Sequence, residues 1–482
     1  MKKFGKLFIL LLLLLVQLPA CAQNDTKDKI QQVEKGLVGS VQINGGAPGT
    51  IQERMAHFKV PGLSIAVIQN YHLVWAKGYG FANDSLKIPV TAQTLFQAAS
   101  ISKSINAVGV LKLVQEKKLD LYTDINIYLS SWKFPYDSLS KGKKITVANL
   151  LSHTAGLGIH GFPGYLQGKP LPAVVQILDG QKPANTSAVR SMYAPGIKSE
   201  YSGGGTIISQ LIVMDVTHQP YADYMKKEVL DLLGMKSSAY AQPPVGINPN
   251  LLATAYDFNN KAVPGGYHVY PELAAAGLWT NPTDLAHYII ETQLAYEGKS
   301  AKVLNQATTK LRLTPYIDKS AALGVFIDDE DGTKYFQHGG VNAGFRSQYY
   351  GSLEGGNGVV VMLNSDHDEI ITEVINSVAK VYGFKGLYHS TKTIALSDTV
   401  LQTYTGVYQI APNFIVTVSK EGSQLYAQPS GRDKAAIYPK TPTTFVLENL
   451  PIEVEFVKDK EGKVITMILN ERGNKTEAKK VK

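Results

Sequence analysis

The sequence predicts an α+β protein followed by a separate all-β module. Three observations predict it. Strand-like and helical patterns occupy separate stretches between residues 62 and 383; the composition shifts near 390–400; beyond that shift, apolar residues alternate with polar ones. A chain of 482 residues has room for one large domain and a smaller one, and 44% hydrophobic with 18% charged residues excludes a disordered or collagen-like polymer.

The first residues read as an export segment, 1–22. Lys2, Lys3 and Lys6 precede an apolar run from Leu7 to Val16, which is shorter than the ~20 residues of a membrane span. Ala20-Cys21-Ala22 suits cleavage before Gln23, and Leu18 to Cys21 also suits lipid attachment at Cys21. Both exits stay open, with a periplasmic or secreted product expected. Removing the segment takes away three lysines and lowers the formal charge from +8 to +5. No dense basic stripe marks a nucleic-acid partner, and the membrane is expected to be reached only through a lipid on Cys21. A single Cys excludes an intramolecular disulfide and Cys-rich metal sites.

The body of the chain is expected to run from 23 to 395. Residues 23–60 read as a linker and a helix, and Gly62 to Gly80 as a hairpin. Ile101, Ile105, Val108, Leu111 and Val114 repeat at steps of four and three, so Ser100 to about Lys117 is a helix with one buried stripe. A helical patch covers 282–296, two strand-like runs around a Gly-rich turn cover 346–364, and a closing helix covers 368–383. From 396 to 482 the pattern is all strand: Ile452, Val454 and Phe456 alternate with Glu453 and Glu455, one face buried and one wet.

The strongest chemical signal is Ser100-Ile101-Ser102-Lys103 at the start of the predicted helix. Residues three apart lie on one helix face, so the Lys103 amine reaches the Ser100 hydroxyl. Desolvation lowers a lysine's pKa and frees an amine to act as base, and backbone N–H groups at a helix start stabilise negative charge. That combination is half of an acyl-transfer site. Rival chemistries lack their residues. There is no Gly-x-Ser-x-Gly elbow, no phosphate loop at Gly298-Lys299-Ser300, no dinucleotide spacing at Gly203–Gly205, and no His-Glu-x-x-His.

The block Phe96 to Lys103, the block Ile145 to Leu157 containing Ser152-His153-Thr154-Ala155-Gly156, and Ala275 to Thr280 with Asp284-Leu285 resemble, in this order, the serine β-lactamase and penicillin-binding superfamily in its class C β-lactamase-like branch. The resemblance covers about 35–385. It implies a β-lactamase/transpeptidase-like fold, with an antiparallel sheet flanked by helices plus an all-helical region, and it implies that the C-terminal module is a small barrel. It makes Tyr201 the proton shuttle between nucleophile and leaving group. At Tyr201-Ser202-Gly203 the family usually has Asn where this chain has Gly203. The family's Lys-Thr-Gly or His-x-Gly strand is matched by His338-Gly339-Gly340-Val341. The resemblance places His338 as substrate anchor or as a donor to the Ser–Tyr pair. It makes the Ser100 and Val341 N–H groups the oxyanion donors, and Gly339 and Gly340 the strand that a substrate approaches. Arg346 becomes a candidate contact for an acid group, and His153 a packed or capping residue. The implied activity is serine hydrolysis of a peptide, ester or β-lactam, with peptidase or esterase action ahead of efficient lactamase action. No metal and no cofactor are implied. The partner is a small-molecule or peptide substrate, including cell-wall peptide. The competing function is a binder with the same fold that acylates without turnover.

Overall fold

The computed structural model describes residues 25–482 except 44–45, 331, 448–449, 451 and 472–473. The expected export segment and Cys21 lie outside the described residues. The chain divides into two compact units. Among the described residues, one takes in 25–29, 55–371 and 382–386; the other takes in 30–54, 372–381 and 387–482.

The larger unit is built on a seven-stranded antiparallel sheet. Its strands in chain order are β1 (Gly62–Gln69), β2 (His72–Asn83) and β3 (Ile88–Pro89), then, after a short β4 (Phe96–Gln97) and β5 (Trp279–Thr280) that pair with each other, β6 (Phe326–Glu330), β7 (Thr333–Asn342), β8 (Phe345–Ser352) and β9 (Gly358–Leu363). The spatial order is β3-β2-β1-β9-β8-β7-β6. The expected hairpin at 62–80 is β1–β2. Gln69 pairs with His72 across a two-residue turn in which Asn70 and Tyr71 both have positive φ, the geometry that matches strand twist. The two runs expected at 346–364 are β8 and β9, which pair in register from Leu363↔Arg346 to Gly358↔Gly351.

Three helices complete the frame. Helix α1 (Ile101–Gln115) has Ser100 as its N-cap, α2 (Gly203–Thr217) begins two residues after Tyr201, and α3 (Pro282–Tyr296) packs on the sheet. The start of α3 is written locally. The Asn281 side chain accepts from the Asp284 N–H, and Pro282 sits where its missing N–H costs nothing. Helix α1 is buried nearly all round, wider than the single stripe expected: Ser102, Lys103, Ser104 and Asn106 are buried along with the apolar residues. The polar members are held by bonds such as Asn106 to Ser209 Oγ, so the stripe alone understates how deep this helix lies.

In the smaller unit, eight antiparallel strands between Gly406 and Lys480 close into a barrel, with Tyr408↔Lys480 sealing first to last. Val416, Val418, Val454, Phe456 and Met467 point inward, as the alternation predicts. One expectation fails here. The stretch opens with a helix, Asp398–Tyr404, rather than a strand, capped by Ser397 and burying Leu401 and Tyr404 in the barrel core. Two apolar residues three apart meet on one helical face, a helical signal too short to stand out before a run of strands.

Candidate active site

Ser100 sits on a tight corner. Ala99, just before it, has φ +49, a left-handed conformation that a non-Gly residue rarely adopts and that costs ~1–2 kcal/mol. The block at 275–280 holds this corner: Ala98 N–H donates to Leu278 O, and Leu278 N–H donates to Ser102 Oγ at 3.0 Å. One helical turn on, Lys103 Nζ lies 3.0 Å from Ser100 Oγ and donates to Ala275 O at 2.7 Å. Lys103 is 4% exposed, no carboxylate among the described residues pairs with it, and burial brings its pKa down to about 7. Burial thus favours the neutral amine over the ammonium at this position.

Tyr201 joins this pair. Lys103 Nζ lies 5.0 Å from the centre of its ring. The Tyr201 hydroxyl is buried and makes no hydrogen bond of standard geometry among the described residues. Burial raises its pKa well above the ordinary phenol range, and the nearby Ser100 hydroxyl acts in the opposite direction. Tyr201 is held from its ring side. His153 lies over it at 4.3 Å between centroids and His160 at 4.9 Å, with Phe326 and His338 next to them. The Nδ1 of His153 accepts from the Ser202 N–H at 3.2 Å, and Ser202 Oγ caps α2 by accepting from Gly205 N–H at 3.0 Å. Burial, reinforced by the neighbouring Lys103 and the two other histidines, holds the His153 pKa well below its ordinary value. His153 thus is the packed residue of the two roles expected for it, and it grips the tyrosine itself, while Ser202 supplies the cap. Sequence reading missed this because residues 153 and 201 are far apart in the chain; so are Phe326 and Tyr201.

His338 is buried beside the same ring, and burial, with Lys103 next to it, lowers its pKa to about 3. The imidazole is neutral. Its Nδ1 lies 2.6 Å from Gly339 O, an acceptor only, so Nδ1 carries the hydrogen and the unpartnered Nε2 is a bare acceptor. The expectation that His338 donates to the Ser–Tyr pair, or anchors a carboxylate by charge, does not fit this tautomer.

The remaining expected residues divide. Val341 stands at the exposed end of β7, 63% exposed, opposite Arg346 in the β7–β8 register. Gly340 makes a close approach, but to the protein's own chain: a Cβ there would meet Ala98 O at 2.2 Å. A Cβ on Gly339 would meet the Gln348 side chain. Arg346 is engaged internally through Nη1, which lies 2.8 Å from Asp366 and donates to the Asn342 and Phe345 carbonyls. The structure therefore brings Ser100, Lys103, Tyr201 and His338 together and commits Arg346 to an ion pair within the protein.

An antiparallel sheet with a serine at a helix start, a desolvated lysine one turn on and a tyrosine just before a second helix defines the β-lactamase/transpeptidase class of serine-hydrolase folds. Residues 48–377 match the family described as Beta-lactamase, and the chain belongs to that family. Among curated relatives, the protein Flp of Staphylococcus aureus strain N315 is 24% identical over 366 residues, 73% of this chain and 67% of that protein. The corresponding Flp of strain MRSA252 is covered over 62% of its length. A β-lactamase of Pseudomonas fluorescens is 29% identical over 261 residues, 54% of this chain and 66% of that protein. Solved structures share the fold. The octameric penicillin-binding protein homologue from Pyrococcus abyssi superposes with a TM-score of 0.59 at 21% identity, covering 89% of this chain and 97% of that one. FmtA from Staphylococcus aureus gives 0.55 at 20% identity, covering 69% and 86%.

Proposed function

We propose that this protein is an exported serine hydrolase of the class C β-lactamase-like type that works through an acyl-enzyme. Ser100 attacks the carbonyl of a small-molecule or peptide substrate, a cell-wall peptide, an ester or a β-lactam. The neutral amine of Lys103 takes the hydroxyl proton, and Tyr201 passes it to the leaving group. The N–H groups of Ser100 and Val341 hold the oxyanion, and water then releases the acyl group. Peptidase or esterase action stands ahead of efficient lactamase action. The observation that carries this reading is the 3.0 Å approach of a fully desolvated lysine to a serine hydroxyl at a helix start, with a phenol alongside. Export rests on the basic-then-apolar N-terminus, and any membrane attachment on Cys21.

The test uses a fluorophosphonate probe and an activated ester. Ser100→Ala abolishes covalent labelling and steady turnover while the melting temperature holds; labelling at another residue overturns the assignment. A wild-type burst of one equivalent without further turnover identifies the binder in place of the enzyme.

A further inference from the structure

A buried polar chain that the catalytic reading does not use ties α1 to α2. On α1, Asn106 follows Lys103 by three residues, so the two side chains share a face. Asn106 is fully buried. Its Nδ2 donates to Ser209 Oγ on α2 at 2.9 Å, and its Oδ1 accepts from the Tyr221 hydroxyl at 2.9 Å. Ser209 Oγ donates in turn to Thr206 O at 2.7 Å, one turn nearer to Tyr201. The Tyr221 ring meets the Tyr240 ring edge to face at 5.2 Å, and the Tyr240 hydroxyl donates to Ser102 O at 2.8 Å, within the turn between Ser100 and Lys103.

The next residue of α2 acts on the same lysine from another side. Gln210, also buried, accepts the Ala274 N–H through Oε1 at 2.8 Å, and the adjoining Ala275 carbonyl is the one that Lys103 Nζ bonds. Tyr201 stands two residues before α2, and its ring lies 5.0 Å from Lys103 Nζ. A shift of α2 against α1 therefore moves the phenol relative to the amine and the serine hydroxyl. An amide suits the junction because it donates at one end and accepts at the other. A buried polar chain whose members are paired fixes one arrangement of the elements it joins, and a misplacement of about 1 Å costs a reaction about 100-fold.

We propose that Asn106 is a positioning residue: by tying α1 to α2 through Ser209, it holds the Tyr201 hydroxyl in reach of the Ser100–Lys103 pair without touching substrate. This rests on the reading of Ser100 as nucleophile and Tyr201 as proton shuttle.

The experiment is a double-mutant cycle on the full chain with para-nitrophenyl acetate, slow variants being read in single turnover. Asn106→Leu keeps the branched shape of the side chain and removes both hydrogen bonds. It is expected to lower kcat by about tenfold or more while KM changes by less than about twofold. In a Tyr201→Phe background the same substitution is expected to lower kcat by less than about twofold, because the proton transfer that the brace serves is already lost. The melting temperature should fall equally in both backgrounds. An equal fold loss of kcat in the two backgrounds overturns the proposal, as does an unchanged kcat in a folded Asn106→Leu protein. Ser209→Ala removes one bond of the brace and is expected to show the same dependence on background at about threefold; it decides if Asn106→Leu does not fold. The underlying reading is tested apart. Turnover that survives in Ser100→Ala removes the nucleophile, and a wild-type rate in Tyr201→Phe removes the shuttle, either one taking this proposal with it. Turnover lost in Ser100→Ala and slowed in Tyr201→Phe, with an Asn106 effect that ignores the background, removes only the brace.

Discussion

Gly340 on β7 lies so close to Ala98 that a Cβ added to it would stand 2.2 Å from the Ala98 carbonyl oxygen, and 2.3 Å from Ser347 Oγ, which itself donates to that carbonyl. The strand and the corner bearing Ser100 are thus packed backbone against backbone, and glycine is what permits it. Gly340→Ala is expected to cost ~1–3 kcal/mol of stability by overpacking. Because the displaced atoms adjoin Ser100, kcat/KM is expected to fall by ~100-fold. Thermal melts and ester kinetics measure both; wild-type kinetics in the alanine variant would contradict the packing argument.

The rate is expected to follow the protonation of Lys103. Its pKa of about 7, against 10.5 for the free side chain, makes the amine charged below neutrality and free above it. kcat/KM should rise with pH through about 7 and level off on the alkaline side. Lys103→Arg, which keeps its charge, is expected to lose ~10²–10⁴ in rate and not to recover at pH 9. The same shift has a sign for stability. Between about 7 and 10.5 the unfolded chain holds a proton that the folded chain has shed, so this group makes stability increase with pH across that window. A pH-independent rate from pH 5 to 9 would remove Lys103 as the base.

His153 acts on Tyr201 through its ring and on Ser202 through Nδ1. Its replacement by Phe keeps a ring against the tyrosine but leaves the buried Ser202 N–H without an acceptor, a loss of ~1–3 kcal/mol. The expected outcome is a lower melting temperature and about a tenfold drop in kcat with little change in KM. His153→Ala, which also removes the stacking, should lose more. Equal kcat in the wild type and both variants would make His153 a spectator.

In the smaller unit, Phe456 is 2% exposed and its ring lies 4.6 Å from Tyr404 and 5.3 Å from Phe445. Phe456→Ala opens a cavity at the middle of the barrel and is expected to cost ~3–5 kcal/mol. Denaturant unfolding followed by far-ultraviolet circular dichroism measures it. A loss under ~1 kcal/mol would mean that the barrel interior closes around the gap.

What the sequence determined on its own is whatever depends on neighbours within a turn or two. The three-residue step from Ser100 to Lys103, the Asn281–Pro282 helix start, the hairpin at 62–80 and the alternation of Val454 and Phe456 are local, because helical and strand periodicity and capping bonds are local. Tertiary structure decided the properties that need a partner from far along the chain. Lys103 is desolvated and bonded to a carbonyl 172 residues away; Tyr201 is clasped by His153 and Phe326; His338 is fixed as an acceptor in a buried place; Arg346 is taken by Asp366; and Phe162 fills the space above Gly203. Burial and charge pairing set whether a side chain is acid, base or bystander, and both arise only when distant segments pack, so residue type and spacing named the reacting groups but could not assign their protonation or their partners.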